Sequence, residues 1–168
     1  LEEKSKIIEL AKNIKIDMDT QQNVFLNGRN VTKQIRSKEV SAIVSQISSI
    51  KDVRLLMVDL QRKLAEGKDV IMEGRDITTY VFPNADVKIY LDASIEERAK
   101  RRYKEMQERQ IEATYEEILE NIKMRDENDK NKEIGSLKIA PDAIVIDTTE
   151  LSIEKVTEKV KEIIKSAR

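Results

Sequence analysis

The 168 residues contain no cysteine, no histidine and no tryptophan, and only four glycines and two prolines. Without cysteine, disulfides and thiolate chemistry are excluded. Without histidine, the usual general base near neutral pH and a common metal ligand are gone as well. Any catalysis must therefore run on Asp, Glu, Arg and Lys. Aromatic residues are sparse at 4%, and 31 Lys plus Arg against 32 Asp plus Glu leave a net charge of −1. An RNA-binding domain wants stacking aromatics and a basic excess, so nucleic acid is disfavoured as a partner. No apolar run approaches the roughly 18 residues of a membrane span, and no signal-peptide pattern is present. A soluble, cytoplasmic chain with no membrane partner is the expectation.

Hydrophobic residues make up 39% and charged residues 38%. That is polar, yet the apolar residues are periodic enough to build one domain with a core and a small insert. Three short runs read as buried strands: DVIME (69–73), VKIYLD (87–92) and AIVID (143–147). Their near-continuous aliphatic content suits parallel strands covered on both faces. The stretch EGRDITTYVFPNADVKIYLDAS (73–94) accordingly reads as two strands joined by a turn. Helical spacing is found over 53–67, which stops on Gly67, and over 94–110, 114–129 and 152–167. Ser94 with Glu97, and Thr114 with Glu117, have the spacing of capping boxes. Strands alternating with helices predict an α/β fold with a parallel sheet flanked by helices.

The first fifty residues break that rhythm. A core helix is expected over 1–13. VFLNGRNVT (24–32) places Asn27-Gly28 between two strand-like pieces, a strong hairpin signal. SKEVSAIVSQIS (37–48) is helical. Residues 14–50 thus read as a small β-plus-helix insert beside an α/β core spanning 51–168.

Charged residues cluster where the strands should end, which is where open α/β sheets bind ligands. Glu73, Arg75 and Asp76 surround Gly74 directly after the first apolar run. Arg suits bidentate capture of phosphate, and Asp accepts from an amine or a sugar hydroxyl. A surface turn with a local ion pair fits the same residues. In the 114–129 helix, Arg125 extends the stripe formed by Tyr115, Ile118, Leu119 and Ile122, with Asp129 four residues on and Lys132 beyond. Either the stripe carries a charge that needs a partner, or the helix runs off the core edge with a solvated pair. Arg98, Arg101 and Arg102 share one side of the 94–110 helix. They suit a polyphosphate, although the interleaved Glu96, Glu97, Glu105 and Glu108 also describe a solvated face.

Three stretches together closely resemble bacterial cytidylate kinases. They are EGRDITTYVFPNADVKIYLDASIEERAKRRYKEMQ, EEILENIKMRDENDKNKEIGSLKIAPDAIVIDTTELSIEKVTEKV and, upstream, LNGRNVTKQIRSKEVSAIVSQISSIKDVRLLMVDLQRKLA. The resemblance covers essentially the whole chain. It implies a P-loop kinase-like sheet, residues 14–50 as the monophosphate-binding insert, and a lid region at about 98–132. It implies transfer of the γ-phosphoryl group of ATP, with Mg2+, to CMP or dCMP. By position, Ser45, Arg54 and Asp76 resemble the residues that read the cytosine edge, and Arg75 resembles a ligand of the CMP phosphate. Arg125 and Asp129 resemble the pair that meets the sugar hydroxyls and phosphate. Arg36 and Lys132 match further cationic positions, Lys132 standing where the family has Arg. Arg98, Arg101 and Arg102 fall in the lid that closes over the phosphates. Of these, Arg75, Arg102 and Arg125 match the catalytic cations, and no residue is implied as a metal ligand.

Two departures accompany the resemblance. The family's GRDIGT reads GRDITT here, so Thr78 stands at a glycine position and would be strained if φ were positive. These residues also contain no G-x-x-x-x-G-K-S/T phosphate loop; the glycines are Gly28, Gly67, Gly74 and Gly135. A strand–loop–helix unit takes roughly 30 residues, so the expectation is an inactive fragment that binds neither ATP nor Mg2+. It would compensate for an absent strand by direct pairing, a looser sheet, or a strand swap within a homo-oligomer. A non-catalytic association module with residual CMP binding is the alternative.

Overall fold

The computed structural model describes residues 3–167, the side chain of Lys38 excepted. The chain forms two compact units, Leu1–Val70 and Ile71–Arg168.

In the first unit, helix α1 (Lys4–Lys12) leads into three short antiparallel strands, β1 (Ile16–Met18), β2 (Val24–Leu26) and β3 (Arg29–Asn30), in the order β1-β2-β3. The Asn27-Gly28 signal holds: both residues have positive φ, 50° and 80°, and Leu26 pairs with Arg29 across the turn. The primed turn matches the strand twist, and Asn and Gly supply it because both reach left-handed φ cheaply. β1 escaped the sequence pattern because Ile16-Asp17-Met18 has neither length nor clear alternation. A short 3-10 turn (Gln34–Arg36) precedes α2 (Lys38–Ser48), whose N-cap Ser37 accepts from the Val40 amide at 3.3 Å. α3 (Lys51–Ala65) packs on α1 and α2 and buries Val53 and Val58. Gly67, at φ 68°, ends it in the left-handed conformation that helix ends favour. α1, expected as a core helix, fully buries none of its residues. α3, expected to open the α/β core at residue 51, groups with the first unit.

The second unit is built on one parallel pair, β4 (Ile89–Asp92) with β5 (Ile144–Asp147), in register from Ile89↔Ile144 to Asp92↔Asp147. Two parallel strands need a long crossover. Here it contains α4 (Ile95–Glu108) and α5 (Tyr115–Lys130), which pack on each other. Ala99 and Ile118 are buried in that region, and Tyr103 meets Tyr115 edge to face with centroids 6.4 Å apart. α6 (Ile153–Ser166) follows, with Ser152 as N-cap. The capping box at Thr114 and Glu117 forms in both directions. At Ser94 only half of it does: Ser94 Oγ accepts from the Glu97 amide, but the Glu97 carboxylate turns to Arg101 Nε at 3.0 Å.

Two expected strands are absent. Residues 69–73 adopt no regular structure, and Ile71 is 92% exposed. An apolar run becomes a strand only where a ladder partner meets it, and among the described residues none does. ITTYV, also expected as strand, forms a π-helical turn (Ile77–Val81). The bonds from Val81 N to Asp76 O (3.2 Å) and Phe82 N to Ile77 O (2.7 Å) close it, and Ile77 and Val81 are buried by it. Tertiary burial of these β-branched residues overrides their strand preference. Thr78 lies within the turn and is not among the residues with positive φ, so it carries no left-handed strain. Among the described residues, no helix is long and apolar enough to cross a membrane.

Candidate active site: a buried carboxylate among cations

The last turn of α5 carries Asp129, whose side chain is only 2% exposed. Burial follows from helical spacing, since Asp129 lies on the side of α5 that also buries Ile118. Three cations face its carboxylate. Arg75 Nε, from the loop before the π turn, stands 3.2 Å from Oδ2; Arg125 Nε, one turn back on α5, stands 3.9 Å from the same oxygen. Lys132 Nζ, just past the helix end, lies 2.8 Å from Oδ1. The Asp129 carbonyl also accepts from the Leu137 amide at 2.7 Å, so the chain after α5 returns to the helix end.

Three positive groups against one carboxylate leave two net positive charges. Arg75 and Arg125 keep much of their surface in solvent, at 42% and 57% side-chain exposure. Asp129 Oδ2 receives no well-aligned hydrogen bond despite its burial. A buried acceptor without a donor is costly. The arrangement therefore suits a ligand with two negative charges for the arginines. Asp76, next to Arg75, is itself buried at 5% exposure, at the start of the π turn. The structure thus brings together Arg75, Arg125, Asp129 and Lys132, with Asp76 adjacent in the chain.

Gly74 is needed for this loop because of space. A Cβ there would lie 2.8 Å from Ile77 Cγ1 and 3.0 Å from Cδ1.

The three arginines of α4 are engaged differently. Arg98 donates to both oxygens of Asp126, on α5, and to the Ala93 carbonyl. The hydrogen bond to Asp126 holds the Arg98 pKa above its ordinary value. Arg101 donates to the Thr148 carbonyl at 2.5 Å and to Thr148 Oγ1 at 3.2 Å, just past β5, while pairing with Glu97. Arg102 pairs with Glu105 at 2.6 Å on the exposed side of α4. Sequence reasoning did not single out Asp126 or Thr148; nothing in residue spacing announces a partner on another element.

Arg36, Ser45 and Arg54 belong to the first unit. Arg36 ends the 3-10 turn and is exposed, while Ser45 lies half-buried on α2. Arg54, on α3, is half-buried with Nη1 3.4 Å from Gln61 Oε1.

Helices packed with a parallel strand pair fit an α/β fold of the P-loop kinase-like class. Comparison with known proteins then gives the family. The cytidylate kinase family model matches residues 1–166. The chain is 47% identical over 164 residues to the cytidylate kinase of Caldicellulosiruptor bescii, covering 96% of this chain and 73% of that protein. It is 47% identical to the cytidylate kinase of Caldanaerobacter subterraneus subsp. tengcongensis (98% and 73% covered) and 46% identical to that of Bacillus subtilis (96% and 74% covered). The chain belongs to the cytidylate kinase family.

Proposed function

We propose that this chain takes part in phosphoryl transfer from ATP to CMP or dCMP, giving CDP or dCDP. The Arg75–Asp129–Lys132 cluster carries this reading. Its net positive charge suits the monophosphate dianion. Arg75 and Lys132 hold the phosphate, while Arg125 and Asp129 meet the sugar and the phosphate edge. Asp76, next to Arg75 in the chain, reads the cytosine. In the transfer a CMP phosphate oxygen bonds to the γ-phosphorus of ATP as the bond to the ADP-bridging oxygen breaks. Two anions must approach each other, so the protein's contribution is alignment and neutralisation. Arg75 and Arg125 neutralise on the acceptor side. Arg102, paired locally with Glu105 and half in solvent, serves on the donor side.

Among the described residues, no group of three or more acidic side chains is placed to hold a metal ion. In this reading Mg2+ comes with ATP, as the family implies, and no step above runs through it. These 168 residues also hold no glycine-rich loop to cradle the β- and γ-phosphates. A polypeptide of these residues alone therefore binds CMP but turns it over little.

Isothermal titration with CMP, UMP and AMP tests the assignment. Selective CMP binding, lost in Arg75→Ala, supports it; absence of binding at millimolar CMP favours a non-catalytic association module instead. A coupled ATP/CMP assay at rates of roughly 1–100 per second, usual for kinases, would overturn the low-turnover reading.

A further inference from the structure

Arg98 lies in the first turn of α4, and its guanidinium is committed to three acceptors on two other segments. Nη1 donates to Asp126 Oδ1 at 3.0 Å and Nη2 to Asp126 Oδ2 at 2.6 Å. Nε donates to the Ala93 carbonyl, directly after β4, at 3.2 Å. Neither side chain is freely solvated, at 31% and 14% exposure. A planar fork on two carboxylate oxygens fixes rotation as well as distance, which a single point charge cannot do. Asp126 sits on α5 between Arg125 and Asp129. Whatever holds Asp126 therefore holds the turn that presents both site residues, and Lys132 beyond them.

We propose that Arg98 is a positioning residue: through Asp126 it fixes α5 against the C-terminal end of β4, and so sets where Arg125, Asp129 and Lys132 stand. To bind a phosphate instead, its guanidinium would have to give up both charged hydrogen bonds. Arg102 contrasts with it, being half in solvent and paired only locally with Glu105. The proposal rests on the functional reading above only for what the positioned residues bind.

The test uses the whole chain as wild type, Arg98→Lys, Asp126→Asn and the double variant, with folding checked by circular dichroism. Ligand-free hydrogen exchange is measured at the amides of residues 125–131 and of Leu137. Each single variant is expected to speed exchange there by about tenfold or more, and the double variant no further, because both remove one coupled interaction. CMP affinity is expected to fall by about tenfold in each single variant and no further in the double. The charge-swapped pair Arg98→Asp with Asp126→Arg is expected to recover part of that loss, which a general loosening would not do. Wild-type exchange rates in ligand-free Arg98→Lys would overturn the proposal, as would additive losses, or a CMP defect in Arg98→Lys that Asp126→Asn does not share. A wild-type chain that binds no CMP would remove the functional reading, and the exchange cycle alone would still decide this one.

Discussion

The Asp129 carboxylate and the Arg75 Nε stand 3.2 Å apart, although one residue closes α5 and the other lies in the loop before the π turn. Asp129 is 2% exposed and Arg75 42%, so an anion fixed inside the protein holds a cation that opens to solvent.

Asp129→Ala leaves Arg75 and the 15%-exposed Lys132 without their shared counter-ion. Breaking a buried pair costs several kcal/mol, but the exposure of Arg75 screens part of it, so the expected loss is about 1–3 kcal/mol. Urea denaturation measures it, and Asp129→Asn should lie at the milder end. Both variants should abolish detectable CMP binding; an Asp129→Ala chain with wild-type midpoint and affinity would contradict the cluster's role.

Gly74→Ala tests the loop that delivers Arg75. The new methyl would meet Ile77 Cγ1 at 2.8 Å, and Ile77 is only 8% exposed, so it has little room to retreat. Overpacking of this kind costs about 1–3 kcal/mol. The thermal midpoint is expected to drop by several degrees, with weaker CMP binding alongside. Gly28→Ala meets no atom within 4 Å but has φ 80°, so any loss there comes from backbone strain alone and leaves CMP affinity intact.

Local signals were legible wherever the cause is local. Ser94 and Thr114 each mark a helix start within a residue, because a side-chain cap is decided by its own turn. Asn27-Gly28 marks the hairpin for the same reason. The 69–73 run and ITTYV misled, since strand formation depends on a partner that spacing does not reveal. The site divides likewise. Arg125 and Asp129 share a helix face and can be paired by counting, whereas the approach of Arg75 to Asp129 is long-range and was visible only through resemblance. The arginine-rich face of α4 suited polyphosphate by composition, yet Arg98 and Arg101 spend their donors on Asp126 and Thr148.

The Lys88–Asp142 pair makes stability depend on acid. Lys88 is buried at 9% exposure, and its Nζ donates to Asp142 Oδ2 at 2.6 Å beside the start of the parallel pair. That bond lowers the Asp142 pKa from its ordinary value of 3.8. A carboxylate with a depressed folded pKa contributes stability above the unfolded value, and the contribution fades as pH falls through the folded one. Wild type is therefore expected to exceed Asp142→Asn by a constant margin at pH 5–7, a margin that shrinks as pH falls below the ordinary carboxylate value of 3.8. Parallel curves down to the lowest pH would disprove the linkage.

Lys132 presents a compact ammonium where the family resemblance places Arg. It sits 2.8 Å from Asp129 Oδ1 with 15% exposure, and so meets the carboxylate as a point charge rather than a fork. Lys132→Met should cost about 1–2 kcal/mol, because Asp129 then keeps only the more distant arginines. In an Asp129→Asn background the same change should cost much less, since the charge it served is already gone. The two effects are separable by ligand. If Lys132 also holds the CMP phosphate, Lys132→Met lowers CMP affinity by about tenfold and leaves cytidine binding untouched. Equal losses for CMP and cytidine would place Lys132 with Asp129 in the scaffold and remove it from the phosphate site.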